Sequence, residues 1–262
     1  MVLRPELEKL GGRGTMILTN DATPGNSASM DVSAIAAEVK RLGPWITGFT
    51  AGGRDFGGQY FAEYDTRVRA FLNWLGPRRN DVRRLLECGC LEGGHTAALA
   101  AALPDAQIFA TEIREENLAR AALLARVRNL ANIHFRVDDL EEPAASLADT
   151  YDAVVCIGLL YHLRHPEKFL ARCARSAPIL WLWTIYCAET EATFTENGYR
   201  GRIYTEPTAH PLSGVRAESF FPSLGSLLEM ALAGGYQRIE VIEREITKNG
   251  NGPAVLLCAT RS

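Results

Sequence analysis

The tightest constraint on the fold is the stretch Arg83-Arg84-Leu85-Leu86-Glu87-Cys88-Gly89-Cys90-Leu91-Glu92-Gly93-Gly94-His95-Thr96, which runs directly into the alanine-rich segment Ala97 to Leu103. A short apolar run, a cluster of glycines and then strong helix formers predict a buried strand, a tight turn and a helix. That is the opening of a βαβ unit. Gly89, Gly93 and Gly94 mark places where the backbone takes a positive φ or lets a ligand come close.

The turn is poorly suited to a dinucleotide. Such sites use G-x-G-x-x-G and seat the pyrophosphate on the helix N-terminus. Here Leu91 stands where the second glycine belongs, and Glu87 and Glu92 flank the turn. Two carboxylates repel a pyrophosphate; they suit a phosphate-free cation such as the ammonium and sulfonium of S-adenosylmethionine. The spacing of Glu87, Gly89 and Gly93 resembles the first motif of the class I S-adenosylmethionine-dependent methyltransferases: an acidic residue, one residue, glycine, three residues, glycine. The resemblance implies an α/β fold with a doubly wound, seven-stranded, mostly parallel Rossmann-like sheet that ends in an antiparallel C-terminal hairpin. It places Glu87, Gly89, Cys90, Leu91 and Gly93 along the cofactor. A strand-turn-helix whose glycines serve packing alone is the other reading of this stretch.

The segments that follow keep the same order. Gln107 to Glu112 is predicted as a second strand ending in a carboxylate, with a helix opening at Ile113 and running to about Leu130. An acid about twenty residues past a glycine turn can accept both ribose hydroxyls, so Glu112 is the ribose candidate, with Ile113 beside it. A solvated helix cap is the alternative. Ile133 to Leu140 is a third strand ending in two acids, and the resemblance assigns Asp139, favoured over Asp138, to the adenine amino group and the Leu140 amide to a ring nitrogen. A fourth strand, Tyr151 to Ile157, enters Gly158-Leu159-Leu160-Tyr161-His162-Leu163-Arg164-His165-Pro166, which resembles the fourth motif of small-molecule methyltransferases and of the tRNA wobble-uridine group. Ile157 and Gly158 would pass close to the methionine part of the cofactor. His162 titrates near neutrality and is the first candidate for a general base; a structural tie to a neighbouring loop is the other reading.

After a helix from Pro166 to Arg175 and a fifth strand from Ala177 to Tyr186, residues 187–221 show no sustained helical or alternating pattern. They are expected to form an irregular substrate cap, with His210 as a second candidate base and Tyr204 and Arg216, together with Tyr161, as substrate contacts. Ser223 to Gly235 is predicted helical. Tyr236 to Glu243 and Ala254 to Thr260 read as strands joined by Asn249-Gly250-Asn251-Gly252, a hairpin signal.

Upstream of the first strand, residues 1–29 lack periodicity and are expected to be a mobile lead-in. Met30 to Leu42 is predicted as a helix capped by Asp31, and Tyr60 to Leu75 as an amphipathic helix stopped by Gly76-Pro77. The region 30–78 is expected to form a helical lid over a catalytic domain spanning 79–262. Trp45, Phe49, Phe56, Tyr60 and Tyr64 either line that lid or anchor it, with Tyr60 and Tyr64 as substrate-binding candidates.

The composition fits this organisation. The 262 residues allow one large α/β domain with appended segments, and a formal net charge of -3 supplies no overall positive field to draw in nucleic acid or an anionic membrane. The six cysteines do not read as a disulfide framework, and Cys88-Gly89-Cys90 lacks zinc-site spacing, so no metal is expected. No signal or membrane-spanning pattern stands out, which predicts a cytoplasmic protein. The expected activity is methyl transfer from S-adenosylmethionine, leaving S-adenosylhomocysteine, to an O, N or C nucleophile of a small molecule such as a natural-product or sugar intermediate. The alternatives are a tRNA wobble-uridine (carboxy)methyltransferase and a cofactor-binding scaffold without turnover. The partner is a small molecule, with nucleic acid and membrane not expected and a homodimer allowed.

Overall fold

The computed structural model describes residues 17–18, 30–142, 146–207, 210–245 and 252–261. The chain falls into two compact units, Met1–Asp139 and Leu140–Ser262.

The first unit contains β1 (Ile17–Leu18), α1 (Val32–Arg41), β2 (Gly48–Ala51), β3 (Arg54–Gly57), α2 (Thr66–Leu75), β4 (Arg84–Cys88), α3 (Gly94–Ala102), β5 (Gln107–Glu112), α4 (Glu115–Val127) and β6 (Ile133–Val137). Strands β4, β5 and β6 are parallel neighbours, with Leu86 opposite Phe109 and Phe109 opposite His134. Leu85 and Leu86 of β4 and Ile108 and Ala110 of β5 are fully buried. That is why these strands read as apolar runs rather than alternating ones. The lead-in expected over residues 1–29 lies outside the described residues except at Ile17–Leu18, which pair antiparallel with Phe135 and Arg136 of β6.

Before β4, the chain departs from the sequence expectation in two places. Trp45 to Tyr60 contains the hairpin β2–β3, turned by Gly52 and Gly53 with φ of 56° and 73°. Two successive positive φ values make the tight hairpin turn for which Gly-Gly is suited. The helix expected from Tyr60 instead starts at Thr66, because Asp65 caps it by accepting the Arg67 N–H at 2.8 Å; Ala62–Tyr64 form only a single 3-10 turn. Asp31 caps α1 as expected, accepting the Ser33 N–H.

The N-terminal segment is fastened to the glycine turn by polar and apolar contacts. Phe49 and Phe56 bury their rings with Ile35, Ala97 of α3 and Leu124 of α4, and Trp45 packs at the edge of that cluster. These three aromatics anchor the segment. Full burial of rings such as these contributes on the order of 1.5–3 kcal/mol each. Arg128 forks onto Glu63 through Nε and Nη2 and donates from Nη1 to the Thr50 carbonyl.

The second unit contains β7 (Ala153–Ile157), α5 (Pro166–Ser176), β8 (Ile179–Ile185), β9 (Phe194–Glu196), β10 (Tyr199–Thr205), β11 (Glu218–Pro222), α6 (Leu224–Gly234), β12 (Arg238–Glu245) and β13 (Ala254–Thr260). Strands β7 and β8 are parallel, and β13 runs antiparallel to both β8 and β12. The Asn-Gly turn expected between the last two strands lies outside the described residues, apart from Gly252. The region expected to be irregular, 187–221, instead carries a three-stranded antiparallel sheet in the order β11-β10-β9. Its β9–β10 turn is Asn197-Gly198, both with positive φ (51° and 87°), the dipeptide favoured for a two-residue hairpin.

Gly93 shows how tightly the glycine turn is packed. It caps α3 with φ of 78°, and a Cβ there would lie 2.8 Å from the Cβ of Ala121. Gly93→Ala is expected to destabilise the fold by about 1–3 kcal/mol, from the strained backbone and the clash together. The check is a melting temperature lowered by several degrees in differential scanning calorimetry; an unchanged transition would refute it.

Candidate functional site

In the first unit the turn after β4 is organised by one carbonyl and one carboxylate. The Thr111 carbonyl of β5 accepts the N–H groups of Gly89 at 3.0 Å and Cys90 at 2.8 Å. Glu112, at the end of β5, is 8% exposed and accepts three backbone N–H groups: Leu91 at 3.0 Å, Ile113 at 2.9 Å and Arg114 at 3.1 Å. An ionised carboxylate offers about four lone-pair sites. A ribose that uses both hydroxyls must therefore share or displace one of these backbone contacts. Leu91 presents its N–H from a left-handed backbone, φ 50°, uncommon for a residue other than glycine. Burial pushes the Glu112 pKa up, opposed by its backbone donors.

Glu87 is buried behind the turn and accepts the Thr96 hydroxyl at 2.6 Å. Burial pushes its pKa up too, with Glu112 adding to the rise and His95 opposing it. Glu92 plays a different part from the one its position in the sequence implies. Its Oε2 accepts the N–H groups of Ile46 at 2.9 Å and Thr47 at 2.6 Å, and Oε1 lies 3.6 Å from Arg120. It binds the N-terminal segment to the turn, so the electrostatic case against a pyrophosphate rests on Glu87 and Glu112. Gly94 serves that packing as well, since a Cβ there would meet the Cβ of Ala62 at 2.5 Å. Cys90 is buried, and burial holds its thiol well above the ordinary range.

At the end of β6, Asp138 pairs with Arg136 at 3.6 Å and donates its N–H to the Glu112 carbonyl, while Asp139 is half-buried. Leu140 is buried and its carbonyl accepts from Arg172.

Tyr60 joins a polar cluster on the first unit. Its hydroxyl donates to Asp65 Oδ2 at 2.5 Å, accepts from Arg67 Nη2 at 2.7 Å and lies 3.1 Å from His95 Nε2. His95 is also 2.9 Å from Asp65. Burial works against the Asp65 charge, but the donors His95, Arg67 and Tyr60 outweigh it and hold the carboxyl far below its usual range. Tyr64 is exposed and stacks on Phe61.

In the second unit the turn after β7 meets the three-stranded sheet. Gly158, φ 89°, donates its N–H to the Trp183 carbonyl at 3.1 Å, next to buried Ile157. His162 Nδ1 lies 2.9 Å from Glu206 Oε1. Glu206 is 5% exposed and also accepts the Ser219 hydroxyl at 2.8 Å and the Gly214 N–H at 3.0 Å. Tyr161 sits edge-on to Trp183 and Phe221, and Tyr204 packs against Phe221 with ring centroids 4.9 Å apart. The structure therefore brings His162, Tyr161 and Tyr204 together. It does not place His210 and Arg216 in that cluster: exposed His210 accepts the Leu212 N–H at Nδ1, and Arg216 Nε donates to Glu141 at 2.5 Å. Sequence reasoning assigned no role to Glu206, and no local signal marks it, since its partner His162 lies 44 residues away.

A family profile described as a methyltransferase domain matches residues 85–177. The structure is similar to the crystal structure of the N-terminal domain of EvdMO1 in the presence of S-adenosylhomocysteine and D-fucose, with 29% identity, a TM-score of 0.77, and coverage of 91% of this chain and 100% of that one. Ubiquinone biosynthesis O-methyltransferase of Acinetobacter baumannii (strain AYE) is 31% identical over 104 residues, 39% of this chain and 43% of that protein. The match thus spans less than half the length of the curated relative. Magnesium protoporphyrin IX methyltransferase from Synechocystis PCC 6803, at 17% identity and a TM-score of 0.52 over 76% of this chain and 84% of that one, shares the fold. Residues 85–177 thus match a methyltransferase domain, and the chain is similar over most of its length to a domain crystallised with S-adenosylhomocysteine.

The fold class is the Rossmann-like, mostly parallel α/β sheet of these structures with an antiparallel C-terminal hairpin, and the two-residue β1 makes the expected seven strands eight. The EvdMO1 N-terminal domain was also crystallised with S-adenosylhomocysteine bound. The buried carboxylates Glu87 and Glu112 beside the turn favour a cationic, phosphate-free ligand. No described helix is long and apolar enough to cross a membrane.

Thr96→Val would leave the buried Glu87 without its hydroxyl donor, at a cost of about 1–3 kcal/mol. The sign with pH follows from the raised Glu87 pKa. A raised folded pKa favours the protonated folded state, and losing the donor raises it further, so the penalty is least in acid and grows as pH rises through the folded pKa. Denaturant melts at about pH 4 and about pH 8 should show the larger loss at the higher pH; a loss that shrinks as pH rises would refute this.

Proposed function

We propose that this chain is a class I methyltransferase that uses S-adenosylmethionine, releases S-adenosylhomocysteine and transfers the methyl group to a hydroxyl of a small molecule, with sugars and natural-product intermediates as the acceptor class. The observation that carries the choice of oxygen is the 2.9 Å contact between His162 and buried Glu206. A neutral hydroxyl is a weak nucleophile and gains from a positioned base. The relatives support the reading at the level of their own names: one is a ubiquinone biosynthesis O-methyltransferase, and another domain was crystallised with D-fucose present. Tyr161 and Tyr204, both packed on Phe221, and Trp183, which meets Tyr161 edge-on, supply apolar faces for such an acceptor.

S-adenosylmethionine supplies an activated methyl on a sulfonium, so the side chains are asked mainly to orient, to exclude water and to take a proton. In this reading Glu112 meets the ribose, Asp139 and Leu140 the adenine, and Gly89, Gly93 and Gly158 the backbone-close parts of the cofactor. Glu87 lends negative charge behind the turn. His162 is the base. We also propose a cytoplasmic protein whose partner is the small-molecule acceptor rather than nucleic acid.

Two measurements test this. Glu112→Ala is expected to weaken S-adenosylhomocysteine binding about 10- to 100-fold in calorimetry, the worth of a charge-assisted hydrogen-bond set; unchanged affinity would remove the ribose assignment. With methyl-labelled S-adenosylmethionine and a panel of sugars and phenols, His162→Ala is expected to lower turnover at least about 100-fold while leaving S-adenosylhomocysteine affinity within about twofold. Cofactor binding with no transfer to any acceptor, even by the wild-type protein, would favour a scaffold instead.

A further inference from the structure

Glu206 is a buried carboxylate with three partners of different kinds, and they constrain one another. Its Oε2 accepts the Gly214 N–H, a donor that cannot reverse. Its Oε1 faces the Ser219 hydroxyl at 2.8 Å and His162 Nδ1 at 2.9 Å. A hydroxyl can donate or accept, but a carboxylate only accepts. The proton of a neutral His162 ring is therefore drawn to Nδ1, and Nε2 is left as the nitrogen with the basic lone pair.

We propose that Glu206 is the positioning residue that fixes the Nδ1–H tautomer of His162, so that Nε2 is the atom that takes the proton of the acceptor hydroxyl. The inference rests on the reading of His162 as base. In the step it serves, the acceptor oxygen forms a bond to the methyl carbon as the carbon–sulfur bond breaks, and the bonding pair stays on sulfur. The hydroxyl proton moves to Nε2, and the resulting imidazolium faces the Glu206 carboxylate until it returns the proton to solvent. Atoms and charge balance: the positive charge that leaves sulfur ends as a released proton.

The same placement joins the three-stranded sheet to the turn after β7. The Phe220 N–H donates to the Leu163 carbonyl at 2.9 Å, and Arg164 forks onto Glu196 of β9. The histidine is thus held from the side of the acceptor cap.

Glu206→Gln discriminates sharply. The Gly214 N–H requires an acceptor, so it directs the carboxamide oxygen to the Oε2 position and turns the NH2 toward His162 and Ser219. Ser219 can switch to accepting; His162 Nδ1 can accept only by moving its proton to Nε2. The variant is expected to show the Nε2–H tautomer in 15N NMR of ring-labelled histidine, where the wild type shows Nδ1–H. It is also expected to lose between about tenfold and about 1,000-fold in kcat, with acceptor KM and S-adenosylhomocysteine affinity within about twofold. A wild-type spectrum with the proton on Nε2 overturns the proposal without any variant, which keeps it testable if Glu206→Gln does not fold. Wild-type kcat in Glu206→Gln overturns it as well. If turnover survives in His162→Ala, the base reading itself fails; if it is lost there and kept in Glu206→Gln, only the role of Glu206 falls.

Discussion

Glu112 is the interaction on which the turn after β4 depends. A carboxylate at the end of a buried strand must be satisfied, and this one is satisfied by the backbone of two different segments: the Leu91 N–H from the turn after β4, and the Ile113 and Arg114 N–H groups from its own chain. Together with the Thr111 carbonyl, which receives Gly89 and Cys90, it fixes the ends of two parallel strands against each other. The left-handed Leu91 belongs to this arrangement, presenting its N–H to the carboxylate at 3.0 Å. The turn owes its shape to a side chain about twenty residues downstream as well as to its own glycines.

The second dependence is the attachment of the N-terminal segment. Glu92 accepts from Ile46 and Thr47, Glu63 receives Arg128, and the Phe49–Phe56 pair is buried on α3 and α4. These contacts make residues 45–64 a fixed wall beside the glycine turn. Gly94 belongs to this arrangement, since a side chain there would push Ala62 away. An acid and a glycine inside a cofactor motif thus serve packing.

Where the determinant is local, the sequence is readable. The apolar runs of β4, β5 and β7 and the cap Asp31 announce themselves because burial and capping act over a few residues. The hairpins at Gly52-Gly53 and Asn197-Gly198 were equally local, yet each signal is two residues long and sits among polar and aromatic residues without clean alternation. The Asp65 cap that delays α2 is another short signal, and it was overridden by an apolar pattern extending upstream. The long-range partners have no such signature. Glu92 meets its backbone donors 45 and 46 residues away and Glu206 meets His162 across 44, and nothing in the intervening residues specifies either encounter.

The charge balance of methyl transfer gives these separated acids a common logic. A sulfonium donor begins with its positive charge on sulfur, and a low-dielectric site holds that charge only if anions are nearby. Glu87 and Glu112, whose burial raises the cost of their own ionisation, gain from a cation what they lose by desolvation. When the methyl has moved, the charge no longer resides on sulfur, and the proton released by a hydroxyl acceptor must be taken up elsewhere. In the proposed transfer to a hydroxyl, Glu206 supplies negative charge at that second place, against His162. Under that proposal, Glu87 and Glu112 favour the reactant charge distribution and Glu206 the product distribution. Negative charge confined to the cofactor end would favour the ground state alone, and binding of that kind does not accelerate the chemical step.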